Sequence, residues 1–185
     1  ESGAFYYTNP EEPSPDIQLH FAFSMVDQHG LKKHGRGGFT CHICVLRPKS
    51  VGSVKLADAN PNSPPLIDPA FLKDERDLDT MLAGEKQAQQ IMQAPSFDAH
   101  RGKALYAGAS NDDEELKEDI RNRADTIYHP VGTCKMGPDS DPNAVVDQRL
   151  RVRGIKSLRV IDASIMPKIV SGNTNAPSIM IGEKG

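Results

Sequence analysis

Tryptophan is absent from the 185 residues, aromatic side chains make up only 5%, and there are just three cysteines, Cys41, Cys44 and Cys134. So small and odd a number argues against a disulfide scaffold and fits a reducing compartment. No apolar run approaches the roughly 18 residues of a membrane span, and nothing reads as a signal peptide. The piece is expected to be soluble, either cytoplasmic or membrane-associated on the cytoplasmic side. Charge of one sign is also lacking: 22 basic and 25 acidic residues are interspersed, for a formal net charge of -3. With no broad basic surface, nucleic acid and anionic lipid are set aside as partners.

What is abundant is turn chemistry, 14 Pro and 15 Gly, so a loop-rich α+β arrangement is expected. The length suits one domain with a core, or a domain plus a piece of another. Glu1 is not an initiator Met, and Pro177 to Gly185 reads as a helix cut off after about two turns. We therefore expect part of a longer polypeptide.

Along the chain, residues 1–15 read as an exposed entry with a short strand at 4–8. From Asp16 to Val26, Ile17, Leu19, Phe21 and Phe23 alternate with Gln18, His20, Ala22 and Ser24, which predicts a strand with one buried face. Its other face, carrying Gln18, His20 and Ser24, is suited either to line a pocket or simply to face solvent. Residues 27–38 form a loop. Strands are expected at 39–47 and 53–56, joined through Pro48–Gly52 as an antiparallel hairpin. Residues 58–69 read as a loop.

Leu78, Met81, Leu82, Ala88, Ile91 and Met92 recur at helical spacing from Asp74 or Asp77 to just before Pro95. A second helix is expected after Ser110-Asn-Asp-Asp113, with Leu116, Ile120, Ala124 and Ile127 as its apolar stripe. It would deliver the chain directly to His129. Short strands are expected at 145–152 and 158–161.

Cys41-His-Ile-Cys44 has the spacing of a metal or redox pair. Side chains three apart on a strand point to opposite faces, however, and a zinc site would need two further ligands. The metal assignment is none.

The densest chemistry lies in Tyr128-His-Pro-Val-Gly-Thr-Cys-Lys-Met-Gly137 and in Ser171-Gly-Asn-Thr-Asn-Ala-Pro177. Pro130 pushes His129 out of helical geometry, so the imidazole stands where regular structure stops. Asn173 occupies a comparable position ahead of the last helix, and the two are expected to meet. The plainer readings are a helix-terminating histidine and a turn-forming asparagine. Cys134 reads as a small buried hydrophobe.

These two stretches, together with Leu158-Arg-Val-Ile-Asp-Ala-Ser-Ile-Met-Pro167, resemble the C-terminal signatures of the glucose-methanol-choline flavin oxidoreductases. Leu46-Arg-Pro-Lys-Ser-Val-Gly52 is similar to a segment of their substrate domain. The likeness is strongest to the choline dehydrogenase and related alcohol dehydrogenase branch.

The resemblance implies an α+β fold: an antiparallel or mixed sheet with helices on one face, plus the returning segment of a Rossmann-type FAD domain. Residues 1–128 would be substrate-binding domain and 129–185 the returning segment. It further implies an enzyme oxidising a primary alcohol to an aldehyde, with hydride passing to flavin N5. His129 and Asn173 would be catalytic and His20 substrate-binding, while Asp162, Ala163 and Asn175 would lie along the cofactor.

FAD is expected in the full-length protein and not in this piece. The Gly-rich dinucleotide fingerprint would lie upstream, so this piece alone should be inactive. The implied partners are a small-molecule alcohol, the missing N-terminal FAD-binding region and, in one reading, a second copy in a homo-oligomer. The alternative is a non-enzymatic binding or assembly module, or a CxxC metal or redox domain.

Overall fold

Eleven short elements make up the computed structural model, which describes residues 2–35 and 37–185. They gather into two units, one of Glu1–Ser50 with Phe71–Asp125 and one of Val51–Ala70 with Thr126–Gly185. The class is small α+β, with antiparallel sheets and three α-helices.

In the first unit, β1 (Ser2–Tyr6), β2 (Ile17–Ala22) and β3 (Thr40–Val45) form a sheet in that order. Both pairings are antiparallel, with Tyr6 and Val45 flanking Ile17. Side-chain alternation places Ile17, Leu19, Ile43 and Val45 together on one face. Helix α1 (Glu75–Met92) covers that face through the buried Ala88. The helix comes close because position 84 is glycine: a Cβ there would lie 2.9 Å from Ile17 Cδ1. The Tyr6 hydroxyl locks the approach by donating to the Gly84 carbonyl at 2.8 Å. Helix α2 (Asp113–Arg123) adds a second apolar cluster of Leu82, Ala107 and Leu116.

Both helices start where capping residues stand. Asp74 accepts from the Arg76 N–H, and Asp112 accepts from the N–H groups of Glu114 and Glu115. Helix α2 stops earlier than its apolar spacing implies. Ala124 turns to φ -61°, ψ 132°, so Ala124 and Ile127 lie outside it. Residues 124–129 form neither helix nor strand.

The expected hairpin between β3 and the next strand does not form. Residues 48–52 serve instead as an anchor: the N–H groups of Lys49 and Ser50 donate to the Asp77 carboxylate at 2.7 and 2.8 Å. Ser50 Oγ accepts from the Asp74 N–H at 3.0 Å. A segment that saturates the start of α1 cannot also fold back as a turn. Phe23, expected on the buried face of β2, lies beyond its end and is 73% exposed, while Gln18, expected on the open face, is buried.

The second unit has little regular structure. Strands β4 (Ser53–Lys55) and β5 (Leu66–Asp68) pair with each other, so part of the expected 58–69 loop is strand. Gly52 permits the pairing, since a Cβ there would sit 2.1 Å from the Asp68 carbonyl oxygen.

Residues 145–152 and 158–161 make single bridges, not strands. The Asp147 carboxylate takes the N–H groups of Arg149 and Arg151, and Leu150 adopts φ +62°, so the chain bends before a ladder can extend. Val146, Ile165, Met166 and Ile181 nevertheless form a buried cluster. The terminal helix α3 (Asn175–Lys184) begins ahead of the expected start at Pro177. Among the described residues, no helix is long and apolar enough to cross a membrane.

Candidate active site in the second unit

His129 is placed by turns on both sides. Thr126 Oγ1 accepts from the Tyr128 N–H at 2.9 Å, and Tyr128 adopts the left-handed φ of +66°, which reverses the chain directly before the histidine. Gly132, at φ +89°, repeats the reversal after it; a Cβ there would lie 3.2 Å from the Met166 carbonyl oxygen.

The motif is then stitched to a short 3₁₀ turn at Ala163–Ile165. Cys134 N–H donates to the Ser164 carbonyl at 3.0 Å, and Met136 N–H donates to that of Ile165 at 2.7 Å. Residues far apart in sequence thereby become one frame around the imidazole.

The ring is gripped at both nitrogens. Nε2 lies 2.8 Å from Asn173 Nδ2, so the expected meeting of His129 and Asn173 is present. Nδ1 lies 2.9 Å from Thr174 Oγ1 and 3.3 Å from the Thr174 backbone nitrogen. His129 is half-buried, Asn173 is exposed and Thr174 is buried. Thr174 stands at the head of α3, where its carbonyl accepts from Ser178 N at 3.0 Å and Ser178 Oγ at 2.6 Å. An imidazole next to a carboxamide, open on the Asn173 side, can take a proton from a hydroxyl and stabilise the oxygen left behind.

Thr174 was not among the residues singled out from the sequence. A Thr directly ahead of a helix is a capping signal, but it was masked by placing the helix start at Pro177.

Asp162 caps the 3₁₀ turn, accepting from the Ser164 N–H at 2.7 Å. The hydrogen bonds from Ser164 hold its carboxyl below the usual range. Ala163 is half-buried and packs against the second unit's apolar cluster. Asn175 is the exposed first residue of α3. Its N–H and that of Ala176 belong to the opening turn, which has no intrahelical acceptors to offer them.

His20 belongs to the first unit. It lies on β2 directly across from His42 on β3, and its Nε2 is 3.8 Å from Cys44 Sγ. It is half-buried on the sheet face away from α1.

Cys41 packs on the opposite face with the Ile17 cluster, so the two thiols diverge. Burial pushes both thiols up to about 11, which disfavours the thiolate that metal binding or disulfide exchange requires. Among the described residues no three His, Cys, Asp or Glu side chains group as a metal site.

A polar cleft of about 280 Å³, lined in part by Asp16, Arg47, Arg76 and Asp77, also lies in the first unit. Its charges are engaged internally, Arg47 with Glu12 at 2.6 Å and Asp77 with the backbone of residues 49 and 50.

Comparison with known proteins gives the setting for these residues. The chain is 50% identical to an alcohol dehydrogenase [acceptor] of Pseudomonas putida, across 99% of this chain and 33% of that protein. It is 43% identical to the mitochondrial choline dehydrogenase of Mus musculus, across the whole chain and 31% of that protein. It thus spans about a third of the length of these relatives.

Among solved structures, pyridoxine 4-oxidase from Mesorbium loti superposes with a TM-score of 0.88 at 28% identity, over 98% of this chain and 36% of that one. A formate oxidase from Aspergillus oryzae RIB40, studied for modification of its FAD, gives 0.79 at 26%, over 93% and 31%. The family model described as GMC oxidoreductase, whose members depend on FAD, matches residues 48–182. The chain therefore belongs to the GMC oxidoreductase family.

Proposed function

We propose that this chain forms the C-terminal part of an FAD-dependent enzyme that oxidises a primary alcohol to an aldehyde. His129 is the general base and Asn173 the hydrogen-bond donor to the alkoxide. The observation that carries the reading is the 2.8 Å approach of Asn173 Nδ2 to His129 Nε2. A substrate hydroxyl brought to that pair gives its proton to Nε2 and takes a hydrogen bond from Nδ2. A neutral amide suits the task, because it stabilises negative charge on oxygen without competing for the proton. Histidine suits its own task because its unperturbed pKa, about 6.5, lies near neutrality.

The donor set fits the cofactor. The N–H groups opening α3, at Asn175 and Ala176, have no intrahelical acceptor and suit an electron-rich carbonyl edge. Bound FAD supplies the hydride acceptor. In this reading Asn175, Asp162 and Ala163 would help hold the cofactor, and His20 would bind substrate. Residues 1–128 act as substrate domain and 129–185 as the segment returning to the FAD-binding region.

The experiment is anaerobic flavin reduction by alcohol in the flavin-loaded enzyme. His129→Ala is expected to slow it at least about a hundredfold, the range of a general base. An unchanged rate contradicts the assignment. The 185-residue chain alone is expected to retain no FAD and to be inactive, and a flavin absorbance band in its purified form would refute that.

A further inference from the structure

We infer that Thr174 is a positioning residue: its hydroxyl keeps the neutral His129 proton on Nδ1, so that Nε2 offers a bare lone pair beside Asn173. The inference deepens the reading of His129 as a base.

It rests on the unequal contacts around the ring. Thr174 presents two groups to Nδ1, and they are not equivalent. Its backbone N–H is a donor only; at 3.3 Å it favours a bare Nδ1 and hence a proton on Nε2. Its hydroxyl, at 2.9 Å, is the partner of Nδ1 that can accept. The hydroxyl can donate or accept, so the other nitrogen decides: Asn173 Nδ2, at 2.8 Å, donates to a bare Nε2, which leaves the ring proton on Nδ1 with the Thr174 hydroxyl as its acceptor. Both short contacts are satisfied by one tautomer. The opposite tautomer lets both Thr174 groups donate to Nδ1, but it requires Asn173 to turn its carbonyl toward the ring.

The hydroxyl is also well held. Thr174 is 8% exposed, its branched side chain has few rotamers, and its carbonyl is tied into the first turn of α3. Removing the hydroxyl while keeping the shape leaves the backbone N–H as the remaining Thr174 partner of Nδ1. The ring proton should then move to Nε2, where it blocks the base. A partner that fixes a histidine tautomer through its second nitrogen is a general way of setting which nitrogen reacts.

The test is ¹⁵N spectroscopy of the histidine-labelled, flavin-loaded enzyme, which separates protonated from bare ring nitrogens. The His129 signals are assigned by their loss in His129→Asn. In the unaltered enzyme the proton is expected on Nδ1, in Thr174→Val on Nε2, and in Thr174→Ser on Nδ1 again. Anaerobic flavin reduction should fall at least about tenfold in Thr174→Val and return to within about threefold in Thr174→Ser, since neutral His129 must present Nε2 to act as base.

A proton on Nε2 in the unaltered enzyme overturns the inference without any variant. An unchanged ring in Thr174→Val overturns it as well, with Thr174→Ala standing in should the valine variant not fold. An enzyme that shows the tautomer switch but reduces no flavin with alcohol would sink the proposed activity and leave the role of Thr174 standing.

Discussion

The two units hold their histidines by different means. His20 takes its place from a sheet: β2 alternates, the apolar side is covered by α1, and the ring stands on the other face opposite His42. His129 owes its position to no regular element. Two left-handed residues, a proline and hydrogen bonds from Cys134 and Met136 to a 3₁₀ turn bring it to Asn173 and Thr174. On β2 one alternating pattern sets the face of every side chain together, whereas a site assembled from turns depends on each turn residue separately. In this chain the scaffold is periodic and the candidate chemistry is not.

That contrast can be broken at its strongest point first. Leu116, 2% exposed, anchors α2 in the first unit. Leu116→Ala should cost about 3 kcal/mol in a denaturant titration, as for other leucine truncations in packed cores. A loss below about 1 kcal/mol would mean that the helix pair is not what holds this unit.

A smaller effect tests the second unit's reliance on turn carboxylates. The Arg151 side chain, aided by the backbone N–H groups of Arg151 and Arg149, holds the Asp147 carboxyl down to about 2. Because the folded value lies below the unfolded one of about 3.9, this contribution is present above about pH 4 and is lost as pH falls toward about 2. Asp147→Asn should flatten the acid limb of a stability-against-pH curve within that window. Superimposable acid limbs for the two proteins would show that the turn does not depend on the charge.

How much could be read beforehand follows the same division. Helix α1 was legible almost to its ends, because Leu78, Leu82 and Ala88 fall on one stripe and Asp74 caps it. Helix α2 was overextended: Ile127 keeps the helical spacing, but the backbone has already left the helix at Ala124. Spacing records which side chains would align, not where hydrogen bonding stops.

The hairpin after β3 was misread because residues 48–52 have turn composition, while the long-range demand of Asp77 for their N–H groups is invisible locally. The strands expected at 145–152 and 158–161 failed for a related reason: the Asp147 carboxylate draws in the N–H groups of Arg149 and Arg151 and bends the chain.

The meeting of His129 with Asn173 was legible only as a pair of motifs, since no local rule links positions so far apart. Thr174 stayed hidden because its role depends on where α3 begins, and helix ends are the least certain part of any pattern reading.

The central claim is that His129 and Asn173 act on one oxygen. The direct measurement is anaerobic flavin reduction in the unaltered enzyme, His129→Ala, Asn173→Ala and the double variant. A shared role predicts that the double variant is little slower than His129→Ala, because the donor has less to stabilise once the base is gone. Losses that multiply independently, with flavin content unchanged, would contradict it.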